Sequence, residues 1–162
     1  MENQSIETST QFLTFLLDGE VFAVDIAKIR EVLEFTSVTK VPRTPPFMRG
    51  VINLRGSVVP VVDLRAKFHM PIGENTVNTC IIILEIAIED GITIMGAIAD
   101  SVQEVIKLEA DQIDLPPKLG TRLPSDFLVG VGKQDANFIM ILNVDKILSA
   151  EELSTTVQED AA

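Results

Sequence analysis

Apolar residues along this chain fall into short runs separated by turn-forming residues. QFLTFLL (11–17) and VFAVDI (21–26) flank Asp18-Gly19-Glu20, which predicts a β-hairpin with Gly in its turn. REVLEF (30–35) predicts a third strand, and the three prolines of TSVTKVPRTPP (36–46) exclude a regular element there. VINL (51–54) and SVVPVV (57–62) predict a second hairpin bent at Arg55-Gly56, with Pro60 placing its second strand at an edge or a bulge. MPIGENTVN (70–78) reads as a loop and the main internal boundary; beyond it TCIIILEIAI, ITIMGAIA, VQEVIKL, FLVGVGK and NFIMILNV continue the strand pattern. Helices are few and short, Asp145 to Leu153 giving the best pattern. Many short strands between turns predict a barrel or a sandwich.

The pattern repeats. Asp18-Gly19 matches Asp90-Gly91 at a shift of 72, Glu31-Val32-Leu33 matches Glu104-Val105-Ile106 at 73, and Val41-Pro42 matches Leu115-Pro116 at 74. Gly50-Val51 matches Gly130-Val131 at 80, and from there Ser57–Asp63 runs without a gap against Asn137–Asn143. A shift that only grows is what loop insertions in a duplicated unit produce. The reading is of a mainly β protein with two tandem five-stranded barrels, about 11–68 and 79–149, within a domain spanning 11–150 and flanked by polar acidic tails at 1–10 and 151–162.

Composition narrows the function classes. Although 46% of residues are hydrophobic, no window holds the ~18 apolar residues of a membrane span. Met1 to Thr10 lacks the basic and apolar regions of a signal peptide. Cys80 is the single cysteine, so no intramolecular disulfide forms; a soluble cytoplasmic protein is expected. The net charge of −11 is uneven: residues 11–68 carry 8 basic and 6 acidic side chains, residues 79–149 carry 5 and 11. An acidic chain without a basic face disfavours nucleic acid, while a polarised one suits protein partners or simple solubility.

Catalytic groupings are nearly absent. With His69 the one histidine and Cys80 the one thiol, neither a His-dependent triad nor a Cys/His zinc site can be assembled. No phosphate-binding glycine motif is complete, and no cofactor is implied. An enzyme is not expected. What remains are exposed groups on a β scaffold. Arg55 at its hairpin tip is either a solvated turn residue or a partner contact. Ile29, beside Lys28, Arg30 and Glu31, is either core or surface. Phe47 and Met48 either seal a barrel end or anchor a partner.

PPFMRGVINLRGSVVPVVDLRAKF (45–68), preceded by IAKIREVLEFTSVTKVP (26–42), closely resembles the CheW family of bacterial chemotaxis coupling proteins. The likeness runs from Phe12 to about Leu148, and its most specific element is Gly50–Gly56 followed by Pro60 and Asp63-Leu64-Arg65. The resemblance implies two SH3-like five-stranded barrels with short helices. It also implies an adaptor without catalysis that joins chemoreceptor cytoplasmic tips to the regulatory domain of the histidine kinase CheA, in arrays at the inner face of the membrane without inserting into it. Arg55, Ile29, Glu31 and Gly50 match positions that the family uses for receptor coupling; no kinase-contact residue transfers firmly. Ala99 stands where the family often has Val and Asn143 where Asp is common. Alternatives are a CheW-like module of another signalling system and a small-ligand, purine-binding domain. The 13 residues after Ser149 are too few for a receiver domain, and a purine pocket with stacking aromatics is at odds with 8 Phe and no Trp or Tyr.

Overall fold

A computed structural model describes residues 9–88, 91–115 and 127–147. Eleven strands occur there: β1 Ser9–Leu17, β2 Glu20–Asp25, β3 Ile29–Glu34, β4 Met48–Leu54, β5 Ser57–Asp63, β6 Cys80–Ile88, β7 Gly91–Ala99, β8 Ser101–Glu109, β9 Ile113–Asp114, β10 Leu128–Gln134 and β11 Asn137–Leu142. Two one-turn helices, α1 Leu64–Lys67 and α2 Val144–Ile147, follow β5 and β11. The predicted helix from Asp145 is thus observed as far as Ile147, and the rest of its span, like residues 1–8 and the tail after 147, lies outside the described residues. The helix at α1 was not anticipated; Asp63 caps it by accepting from the Arg65 and Ala66 N–H groups. No helix among the described residues is long and apolar enough to cross a membrane.

The strands form a six-stranded sheet, β8-β1-β2-β11-β10-β9, and a five-stranded sheet, β3-β6-β7-β5-β4. The two share one order once β6, β7, β3, β5 and β4 are set against β1, β2, β8, β11 and β10. The ladders agree residue by residue: Val61 pairs with Gly96 where Ile141 pairs with Ala23, and Gly50 pairs with Val61 where Gly130 pairs with Ile141. This corrects the consecutive division at 11–68 and 79–149. Each sheet takes its leading hairpin from the other half of the chain, β1–β2 joining β8–β11 and β6–β7 joining β3–β5. In this register β2 maps onto β7 at a shift of 73, not 72, and Asp90 itself lies outside the described residues.

Burial divides the core in three. Phe12, Ala23, Ile106, Leu108, Ile139 and Ile141 fill the six-stranded sheet, and Ile52, Val59, Val61, Ile81, Ile83 and Ile98 fill the five-stranded one. A third cluster lies between the sheets, with Leu13, Phe15, Leu17, Phe22 and Val24 from one and Ile82, Leu84, Ile86, Met95 and Ala97 from the other. Because successive side chains alternate faces, β1 and β6 use one face for their own sheet and the other for the shared core. A strand buried on both faces reads as a continuous apolar run, which is why Cys80–Leu84 has no polar interruption. Phe15, Phe22, Phe68 and Phe127 line up through this core with successive ring centroids 6.1, 6.0 and 5.7 Å apart.

Pro60 lies on β5, an interior strand by sheet order. The backbone of Val51, its partner on β4, bonds outward to Thr39, and β7 joins β5 only from Val61. Proline's missing N–H therefore falls where the strand is still a local edge.

Asp100, between β7 and β8, ties the halves together. Its carboxylate accepts from Arg65 of α1 and, at 2.8 Å, from the Asp18 N–H in the β1–β2 turn. Burial works against its ionisation but is outweighed by the Arg65 and Asp18 hydrogen bonds and the Arg65 charge, so its pKa lies below the usual Asp value. A depressed native pKa gives stability that is complete above the unfolded value of about 3.9 and lost as pH falls through the native one. Asp100→Asn is expected to melt lower than the parent at pH 7, with the gap narrowing below about pH 4. A gap that stays constant from pH 7 to pH 3 in thermal melts would refute that role.

Candidate functional site

The site is built on the five-stranded sheet. Its outermost strands, β3 and β4, stand at opposite ends of the strand order, yet the sheet curls enough for groups from its two ends to touch. Glu31 on β3 accepts two hydrogen bonds from Arg55 at the β4–β5 tip, Nη1 to Oε2 at 2.8 Å and Nη2 to Oε1 at 2.7 Å. Thr39, in the segment after β3, exchanges backbone bonds with Val51 of β4 at 2.8 and 2.9 Å.

This fork is bidentate and solvent-facing, the Arg55 side chain being 68% exposed. The hydrogen bond from Arg55 holds the Glu31 carboxyl below its ordinary pKa, and Glu31 in turn raises that of Arg55. Two further pairs flank it: Arg30 Nε donates to Glu85 at 3.0 Å, and Lys28 Nζ donates to Asp145 at 2.8 Å. Asp145 also accepts from the Ala87 N–H, so it links the segment before β3 to β6 and α2.

The hairpin tip is unusual in its residue choice. Arg55 has φ 52° and Gly56 φ 90°, the left-handed pair that a two-residue turn requires. Asp18 and Asp135 hold the same first turn position in the β1–β2 and β10–β11 hairpins, with φ 52° and 56°. Asp tolerates this conformation through its short polar side chain, whereas arginine gains nothing from it locally. Arg55 therefore carries a backbone cost that its turn does not reward.

Of the four residues proposed from sequence, the structure joins Glu31 and Arg55 directly. Ile29 begins β3 and is half-buried, packed against the core between the sheets while sharing an edge strand with Glu31. Gly50 stands apart: it is buried, with φ 147°, and a Cβ there would sit 2.1 Å from the Thr39 carbonyl oxygen. Met48 is buried in the core between the sheets, and Phe47 packs against that core beneath Lys67, whose Nζ lies 4.3 Å from the ring centroid. Cys80 is buried, and burial pushes its thiol pKa up, which suits a core residue. Among the described residues no group of His, Cys, Asp and Glu is placed to hold a metal. Sequence reasoning passed over Asn53, whose Oδ1 accepts from the Gly56 N–H at 2.8 Å; the signal was a polar residue three positions before a turn glycine.

The five-stranded sheet thus carries a solvent-facing charge fork at a strained turn. The model of the CheW-like domain matches residues 11–152. The chemotaxis protein CheW of Klebsiella aerogenes is 35% identical over 144 residues, covering 89% of this chain and 84% of the relative. That of Bacillus subtilis is 31% identical over 157 residues, covering 96% and 97%. The crystal structure of the scaffolding protein TtCheW from Thermoanaerobacter tengcongensis superposes with a TM-score of 0.79 at 34% identity, over 88% of this chain and 90% of that one. The chain belongs to the CheW family and is a signal-transduction adaptor of chemotaxis. The alternative readings are not favoured by these matches.

Proposed function

We propose that this adaptor couples the cytoplasmic tips of chemoreceptors to the regulatory domain of the kinase CheA, in the cytoplasm at receptor arrays and without turnover of its own. Receptors dock on the surface formed by Ile29, Glu31 and Arg55, with Gly50 shaping the backbone behind it. The observation that carries this reading is the Glu31–Arg55 fork, held in solvent by an arginine at a turn position that two sister hairpins give to Asp. Kinase contacts are assigned to no residue.

The test is Arg55→Glu, titrated separately against a receptor cytoplasmic fragment and the CheA regulatory domain. Receptor affinity is expected to fall by about tenfold or more, as for a charge reversal within a contact, with kinase affinity unchanged. The double variant Glu31→Arg/Arg55→Glu restores an internal pair with its polarity reversed, so it recovers thermal stability and not receptor binding. Parental receptor affinity in Arg55→Glu would sink the site.

A further inference from the structure

We infer that Asn53 is the positioning residue of this surface: by accepting the Gly56 N–H it locks the Arg55-Gly56 turn in the left-handed conformation that delivers the guanidinium to Glu31. The inference rests on the receptor-docking reading above and deepens it.

The geometry isolates Asn53 from a general structural role. Its side chain is exposed on β4 opposite Val58, itself exposed, and its hydrogen bond lies within the turn, Oδ1 accepting from Gly56 N at 2.8 Å. In the β10–β11 hairpin the corresponding position is Lys133, which ion-pairs with Asp114 and leaves its turn to Asp135. In the β1–β2 hairpin the Asp18 N–H is held from outside by Asp100. Among these three turns, the one with the residue least suited to φ 52° is the one with a clamp from its own strand. The clamp fixes two backbone dihedrals and so removes the entropy that a long arginine side chain on a mobile tip would lose on meeting a partner. Glu31 then fixes the far end of the same side chain. Asn53, Arg55 and Glu31 together present a preformed fork in place of a flexible charge.

The experiment compares Asn53→Ala and Asn53→Asp in the full chain; the aspartate keeps an oxygen for the Gly56 N–H. The first readout is the titration of the Glu31 carboxyl followed by NMR, which a merely structural change at an exposed position does not move. The second is affinity for a receptor cytoplasmic fragment. Asn53→Ala is expected to let Glu31 titrate at higher pH than in the parent and to weaken receptor binding by roughly three- to tenfold, the effect of one lost hydrogen bond; Asn53→Asp is expected to restore both. Unchanged Glu31 titration in Asn53→Ala would overturn the inference, as would a failure of Asn53→Asp to restore it. If Glu31 shifts while neither Asn53→Ala nor Arg55→Glu alters receptor affinity, the clamp stands and the docking reading falls.

Discussion

Phe22→Ala is expected to destabilise the protein by about 3–5 kcal/mol, the range for deleting a buried aromatic side chain. Phe22 has no exposed surface and sits between Phe15 and Phe68 in the core shared by the two sheets. The cavity has little room to collapse, because Phe22 is enclosed in the core between the sheets with Phe15 of β1 on one side and Phe68, just after α1, on the other. At 2–4 °C per kcal/mol for a chain of this size, the midpoint of thermal unfolding falls by roughly 6 to 20 °C. Near-UV and far-UV signals should still be lost together, since the shared core makes the sheets one cooperative unit. Phe138→Ala is the control: the residue is 67% exposed on β11, and the change is expected to stay within about 0.5 kcal/mol. Equal melting of Phe22→Ala and the parent, or two separated transitions in the parent, would remove the shared core from the account.

How far the fold was legible follows from what periodicity encodes. Alternation tells which residues share a face, and turn chemistry tells where strands end, so the hairpins at Asp18-Gly19 and Arg55-Gly56 were both readable. The internal match of Glu31–Leu33 to Glu104–Ile106 was readable too, and the two ladders place these segments equivalently, beside Ile83–Ile81 and Thr14–Phe12. Which copy of a hairpin pairs with which sheet was not, because equivalent hairpins have equivalent pairing surfaces. The one local hint was Cys80–Leu84, too apolar for a strand with a wet face and therefore destined for the shared core. At the site, Arg55 and Glu31 were legible as individuals and their fork was not. They are 24 residues apart, one on β3 and the other at the β4–β5 tip near the far end of the sheet, and only its curl brings them together. The same limit hid the place of Gly50, whose neighbour Thr39 belongs to the segment the prolines had marked as irregular.

Gly50→Ala is expected to cost about 2–4 kcal/mol, combining the penalty of a side chain at positive φ with that of overpacking. The obstacle is backbone: the new Cβ would lie 2.1 Å from the Thr39 oxygen and 2.7 Å from its carbonyl carbon, so a rotamer change cannot relieve it. Either β4 must straighten its bulge between Met48 and Gly50 or the Val38–Thr39 strap must lift, and lifting it breaks the two Thr39–Val51 bonds that tie the segment after β3 to β4. Receptor binding then falls as a consequence, because β3 and the Arg55 tip keep their spacing only while the sheet stays curled. Gly130→Ala separates this from direct contact. Gly130 occupies the equivalent bulge of β10, where a Cβ would lie 2.6 Å from the Asp114 carbonyl oxygen, and β10 belongs to the sheet that does not carry the fork. Both variants should lose stability by a similar route, with overpacking alone giving Gly130→Ala about 1–3 kcal/mol. Gly50→Ala should additionally weaken receptor binding at temperatures where both proteins remain folded. The decisive measurement is receptor affinity set beside melting temperature for the pair. A Gly50→Ala protein with parental stability and lost binding would make Gly50 a contact residue, and one with parental stability and parental binding would refute the strap.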